Sequence, residues 1–195
     1  MTKRQNIRIT ATDPLSHDYR LLEKIDFDYE RRDGATQSLT REIYHVDDGV
    51  SVLPYDPQRR TVLLVRQFRL PAHLRGEDAF MLEAPAGFLE GDEIEACARR
   101  EVEEETGYRI GPLEKAFEAM MVPGCITHVV HGFVGPYSPS DRVGPGGGLA
   151  HEGEDIDVLE LPIDSAIAMM ATGEIVDGKT IMLLQYLAWR VFSRR

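Results

Sequence analysis

Residues 87–108 read GFLEGDEIEACARREVEEETGY. From Glu93 to Thr106 the run holds no glycine or proline, and Gly107 supplies a stop, which predicts a helix. At about 100° per residue, Ile94, Cys97, Ala98 and Val102 form the stripe that must be buried. Glu101 and Glu105 fall inside that stripe, Glu104 sits at its edge, and Glu95, Arg99 and Glu103 point elsewhere. Like charges four residues apart are stacked neighbours; the pair costs a few tenths of a kcal/mol on an exposed helix and far more when desolvated. A cation is therefore expected between them. A hard divalent ion suits the place, because Mg²⁺ takes oxygen ligands, keeps several waters and shares a few carboxylates with substrate phosphates. The competing reading is a solvated acidic face, and the position of the two acids on the wheel weighs against it.

Working outward, YRLLEKIDFDYE (residues 19–30) alternates loosely into the turn Arg32-Asp33-Gly34, and Ser38–Val46 alternates again, which predicts a β-hairpin. Strands are expected at Gly49–Tyr55, Thr61–Leu70 and Phe80–Pro85, the last ending in Ala86-Gly87. After the helix come strands near Lys115–Val122 and Thr127–Val134, then a Pro/Gly-rich loop over residues 135–150. Loops of that length are usually functional or disordered. Asp157–Leu161 reads as a strand, Asp164–Ala171 as a helix and Asp177–Phe192 as a closing helix with Ile181, Leu184, Leu187, Ala188 and Val191 on one side. Strands and helices mix without strict alternation, which predicts an α+β fold.

Composition narrows the function. The 22 basic and 33 acidic residues give a net charge of −11, and four of the basic residues are lysines, which disfavours a nucleic-acid-coating role. Cys97 and Cys125 form neither a CxxC pair nor a disulfide framework. No apolar run approaches a membrane span and the N-terminus lacks the apolar stretch of a signal peptide, so a cytoplasmic protein without membrane partners is expected.

The stretch at 87–108 resembles the Nudix box, which reads Gly, five residues, Glu, seven residues, then Arg-Glu-apolar-x-Glu-Glu-x-Gly-apolar. Its second half matches in full through Arg100, Glu101, Val102, Glu104, Glu105, Gly107 and Tyr108. Its first half is one residue short: counting from Gly87 reaches Glu93, whereas counting back from Arg100 reaches Asp92. The strand VLLVRQFR, the segment MLEAPAG, the turn Val122–Gly124, Glu154–Ile156 and TGEIVDGKT (172–180) extend the likeness to the nucleoside-diphosphate-sugar branch of Nudix hydrolases. Within that branch the chain is most similar to the GDP-mannose pyrophosphatases as a group. The resemblance implies a Nudix fold, a mixed sheet sandwiched between helices, over residues 47–195. It also implies an N-terminal β-hairpin extension over residues 1–46 that takes part in dimerisation.

Residue by residue, the resemblance implies that Glu101, Glu105 and the carbonyl of Ala86 bind Mg²⁺, with Mn²⁺ as a substitute, and that Glu154 adds a loop ligand. Glu104 lies close by, Arg100 orients the glutamates, and Glu152 is the general base, with His151 an alternative. The glycines of the loop would let the acid swing over substrate. Arg66 and Arg69 suit capture of phosphate oxygens. Glu83, Gly87, Phe88 and Lys179 are implied to contact substrate. The hairpin is too small to bury its own apolar residues. The relatives exchange it in a homodimer, so that Tyr19, and Arg41 and Glu42 of the partner subunit, reach the nucleotide. His128 stands where the relatives carry a Glu and is expected at the base or sugar. The implied reaction is Mg-dependent hydrolysis of a nucleoside diphosphate sugar, GDP-mannose giving GMP and mannose 1-phosphate. ADP-ribose giving AMP and ribose 5-phosphate is the alternative, and a non-catalytic nucleotide-sugar sensor is the rival of another class.

Overall fold

The computed structural model describes residues 6–192, the side chain of Glu152 excepted. The described residues divide into two compact units, one of 6–47 with 122–128 and the other of 48–121 with 129–192. The first unit is an antiparallel meander of β1 (Ile7–Ser16), β2 (Leu22–Glu30) and β3 (Thr36–Tyr44). The expected hairpin thus gains a third strand. Pro14 and the polar residues around it obscured β1; proline is tolerated there because β1 is an edge, and two register irregularities break its ladder. Alternation places Ile25, Phe27 and Tyr29 opposite Arg41, Leu39 and Gln37 on one face. The other face is polar, with Arg8 and Ser38 donating to Asp28 at 2.5 and 2.8 Å. Segment 122–128 belongs to this unit because the Tyr44 N–H donates to the Cys125 carbonyl (2.8 Å), and Thr127 exchanges hydrogen bonds with the backbone of Tyr44 and Val46.

The second unit holds a seven-stranded mixed sheet built from β4 (Gly49–Asp56), β5 (Thr61–Phe68), β6 (Phe80–Glu83), β7 (Ala86–Phe88), β8 (Glu114–Met120), β9 (Val129–Pro136) and β10 (Asp157–Pro162). The main order is β10-β5-β4-β9-β8, with β6 on β5 and β7 on β4. The β4–β9 pair is parallel and the others antiparallel. β4 is apolar almost throughout because both its faces are covered. Val50 and Val52 pack with Cys97, Ala98 and Val102 of α2 (Ile94–Thr106). On the other face Leu53, Leu64 and Val134 pack with α3 (Ile163–Thr172) and α4 (Gly178–Arg190). This is the expected α+β arrangement of a sheet between helices.

Two short elements escaped the sequence reading. α1 (Leu70–Leu74) carries Pro71 in its first turn, where the missing N–H costs nothing. β7 has three residues and exists only through its pairing with Gly49–Ser51. Among the described residues no helix is long and apolar enough to cross a membrane.

Candidate active site

Helix α2 is set at both ends by side-chain and backbone chemistry. The Glu93 carboxylate accepts from the N–H groups of Glu95 (3.0 Å) and Ala96 (3.2 Å), capping the first turn. Gly107 ends the helix in the left-handed region at φ 77°. Asp92 lies 3.4 Å from Arg100 Nη2. The two acids on which the short box converged therefore have separate tasks, the cap for Glu93 and the arginine for Asp92.

The inward stripe of α2 comprises Cys97, Ala98, Glu101, Val102, Glu105 and Thr106, as its periodicity predicts. Glu105 is fully buried, and neither carboxylate oxygen has a hydrogen-bond partner of normal geometry. Burial, then the charges of Glu154 and Glu101, push its carboxyl well above the usual carboxylate range; Arg69 and the Ala86 N–H pull it down more weakly. An orphaned buried carboxylate beside two others is unfavourable unless a proton or cation joins it. The donor set, all hard oxygens, fits Mg²⁺ or Mn²⁺. Among the described residues no three acid, histidine or cysteine groups form a ligand cage alone. Mg²⁺ in particular is commonly held by one or two carboxylates and completed by water and phosphate.

Ala86 and Gly87 of β7 face this part of α2. A β-carbon on Gly87 would overlap the Glu101 carboxyl group, so glycine is required for the close approach. Phe88 follows, its carbonyl accepting a weak hydrogen bond from the Cys97 thiol at 3.3 Å. Burial, then the Glu101 charge, push that thiol up to about 11, so it stays protonated and acts as a donor. Arg100 lies 2.9 Å from Glu101 Oε1 and donates from Nη1 to Glu104 Oε2 at 2.9 Å, spacing the two acids.

The Gly-rich loop is fastened to the C-terminus of α2. The N–H groups of Gly147 and Gly148 donate to the carbonyls of Glu105 (2.8 Å) and Glu104 (3.1 Å), while Val143 and Gly144 donate to Gly107. These are carbonyls a helix end leaves without intrahelical partners. In this structure the N–H groups of Gly147 and Gly148 dock the loop on that helix end. Glu154 follows, its Oε2 accepting from the Leu149 N–H at 2.8 Å. The side chain of Glu152, expected as the general base, lies outside the described residues, and His151 is exposed on the same turn.

On the sheet side, Arg69 donates from Nε and Nη2 to the two oxygens of Glu83 at 2.7 and 3.0 Å. The Lys179 ammonium donates to Glu83 Oε2 and lies 3.0 Å from Asp177 Oδ1. Burial alone would raise the Glu83 carboxyl, but the hydrogen bond from Arg69 and the charges of Lys179 and Arg69 outweigh it and hold the group below its ordinary value. Asp177 caps α4 through Thr180, accepting from its N–H (2.9 Å) and hydroxyl (2.5 Å), and the Thr180 oxygen accepts from the Ala84 N–H at 2.7 Å. Asp177 and Thr180 were absent from the expected site; the N-cap pattern at the start of α4 was the available signal. Arg66 is not brought to this group. Side chains alternate along β5, so Arg66 leaves on the face opposite Val65 and Gln67, and its guanidinium lies 5.8 Å from the Phe80 ring centroid.

The remaining expected residues lie in the first unit. Tyr19 is exposed beneath the Arg20 guanidinium, 5.3 Å from its ring centroid. Arg41 and Glu42 are exposed on β3, Arg41 donating to the Thr40 carbonyl. His128 Nδ1 lies 2.6 Å from the Asp47 carbonyl.

Comparison with known proteins agrees with this architecture. A family model described as "NUDIX domain" matches residues 45–182, and one described as "GDP-mannose pyrophosphatase NudK N-terminal domain" matches residues 6–44. A protein of Citrobacter koseri named GDP-mannose pyrophosphatase is 45% identical over 184 residues, covering 94% of this chain and 95% of its own. One of the same name from Escherichia coli O1:K1 / APEC is 44% identical over the same shares. A solved structure described as "Crystal structure of ADP compounds hydrolase" covers 100% of this chain and 98% of its own with a TM-score of 0.76 at 15% identity, a likeness of fold.

Proposed function

The chain belongs to the NUDIX family and is a Nudix pyrophosphohydrolase, and from that premise we propose that it hydrolyses the pyrophosphate bond of GDP-mannose, giving GMP and mannose 1-phosphate in a Mg²⁺-dependent reaction. The observation that carries the chemistry is Glu105, a carboxylate with no hydrogen-bond partner of normal geometry, raised by its burial and then by the charges of Glu154 and Glu101. The substrate assignment is supported by the names of relatives that are 44–45% identical over nearly the whole chain.

Glu101, Glu105, Glu154 and the Ala86 carbonyl would hold the divalent ion, with Mn²⁺ able to replace Mg²⁺. When bound, the ion supplies charge neutralisation of the diphosphate and a lowered pKa for water. Arg100 keeps Glu101 and Glu104 apart and oriented. Arg69 and Lys179 bring positive charge to the phosphates, and Gly87 and Phe88 lie beside them along β7. Glu152 takes the proton of the attacking water; the new bond forms from that oxygen to phosphorus as the bridging P–O bond breaks.

The nucleotide end is assigned to the first unit, in a homodimer that exchanges the N-terminal sheet: Tyr19 and His128 with Arg41 and Glu42 of the partner subunit. Exposed Ile7, Ile9 and Leu15 on that small sheet support a second copy as its cover. With Cys97 and Cys125 both free, the working compartment is the reducing cytoplasm.

A panel of GDP-mannose, GDP-glucose, ADP-ribose and ADP-glucose with magnesium, read as phosphate released after phosphatase treatment, tests the reading. GDP-mannose is expected to give the highest kcat/KM. Dominance of ADP-ribose would move the assignment to an ADP-ribose pyrophosphatase. Binding of GDP-mannose without turnover of any member would make the chain a sensor.

A further inference from the structure

Glu83, Arg69, Lys179 and Asp177 make a balanced set of two anions and two cations, and the set is asymmetric in its access to solvent. The Glu83 side chain is 3% exposed and that of Lys179 15%, whereas that of Arg69 is 38% exposed. Glu83 therefore spends both its oxygens on Arg69 and Lys179 and has no face left for a ligand. Arg69 commits Nε and one N–H of Nη2 to Glu83, and of the five N–H groups of a guanidinium three are left over. They belong to a side chain that keeps more than a third of its surface open, and the charge of Glu105 acts on the same guanidinium. Both cations are thus held by one carboxylate beside the acidic stripe of α2, and Lys179 is further fixed through Asp177, Thr180 and the Ala84 N–H to the end of the strand that carries Glu83.

We propose that Glu83 is a positioning residue that holds Arg69 and Lys179 in the arrangement that grips the diphosphate, and that it makes no contact with substrate itself. The inference rests on the pyrophosphohydrolase reading and replaces the expectation that Glu83 touches substrate. Physically, a bidentate carboxylate removes the freedom of a long cationic side chain before the ligand arrives, so less is lost on binding.

The proposal has a sign that simple electrostatics does not share. Replacing an anion near a diphosphate by a neutral amide should tighten binding by Coulomb's law. Loss of positioning should weaken it. Calorimetric titration of the full-length protein with inorganic pyrophosphate in the presence of magnesium is expected to show E83Q binding about tenfold more weakly than the native chain, equivalent to about 1.4 kcal/mol. Steady-state assays with GDP-mannose should show KM raised in the same proportion and kcat changed less than about threefold, the pattern of a lost uniform binding interaction. Unchanged or tighter pyrophosphate binding by E83Q would overturn the proposal. If E83Q does not fold, Glu83→Asp keeps the charge but shortens the reach, and binding equal to that of the native chain would overturn it equally. Weakened pyrophosphate binding in a protein that fails to hydrolyse GDP-mannose would uphold the positioning role and reject the substrate assignment instead.

Discussion

Gly87 and Glu101 stand in direct apposition, the α-carbon of one so close to the carboxyl group of the other that no side chain fits between them. The obstacle to a larger residue is the far end of a flexible side chain, which can move without disturbing the backbone. Gly87→Ala is therefore expected to displace the Glu101 carboxylate while leaving the fold intact. Activity should fall about 10²-fold, the usual cost of misplacing a reacting geometry by an ångström. Melting temperature should change by no more than about 2–4 °C, the shift produced by about 1 kcal/mol at this size. Paired kinetic and thermal measurements check both halves.

Gly146 makes the contrasting case. Its φ is 72°, and a β-carbon there would lie 2.5 Å from the Thr106 carbonyl carbon, which is backbone and cannot step aside. Gly146→Ala is expected to loosen the loop from the end of α2 and cost about 2 kcal/mol or more. Scanning calorimetry should show a melting temperature lower by about 4–8 °C.

The buried Glu105 carboxyl makes stability depend on pH in the direction opposite to most acids. Its ionisation is opposed in the folded state by burial and by Glu154 and Glu101. Below the unfolded value, about 4.3, it is protonated in both states and costs nothing. As pH rises from there through the raised folded value, stability is progressively lost. Glu105→Gln removes this loss. In EDTA the variant should melt at a higher temperature than the native chain at pH 7, with the difference shrinking towards pH 4, and it should have lost activity in magnesium. Equal melting temperatures at both pH values would contradict the account.

Thr180 is fully buried, donates to Asp177 and accepts from the Ala84 N–H. Thr180→Val keeps the shape and removes both bonds, leaving a buried N–H unpaired. A loss of about 1–3 kcal/mol is expected, read as a lower urea midpoint with unchanged slope.

Much of the second unit was legible because its signals are local. The helix at 94–106 followed from an uninterrupted 3.6-residue pattern with a glycine stop, and the inward placement of Glu101 and Glu105 followed from the same period. β4 and β5 followed from apolar runs bounded by turn residues. What escaped was whatever depends on distant pairing. β7 carries no pattern of its own and is a strand because Gly49–Ser51 lies beside it. β1 was hidden by its proline, because Asp13-Pro14 cuts off the alternation of Ile7–Thr12 after a few residues. The short box left two candidate acids, and only the capping geometry of Glu93 separated them.

The sequence by itself determined that two acids one turn apart point into the protein, since helical periodicity is a property of consecutive residues. It could not say that Glu83 would be spent on Arg69 and Lys179, that Arg66 would turn to the other face of the sheet, or that the glycines of the long loop would be pinned to a helix end. Those outcomes rest on which strands lie side by side and which backbone groups remain unpaired. Residues far apart in the chain settle such questions only when they meet.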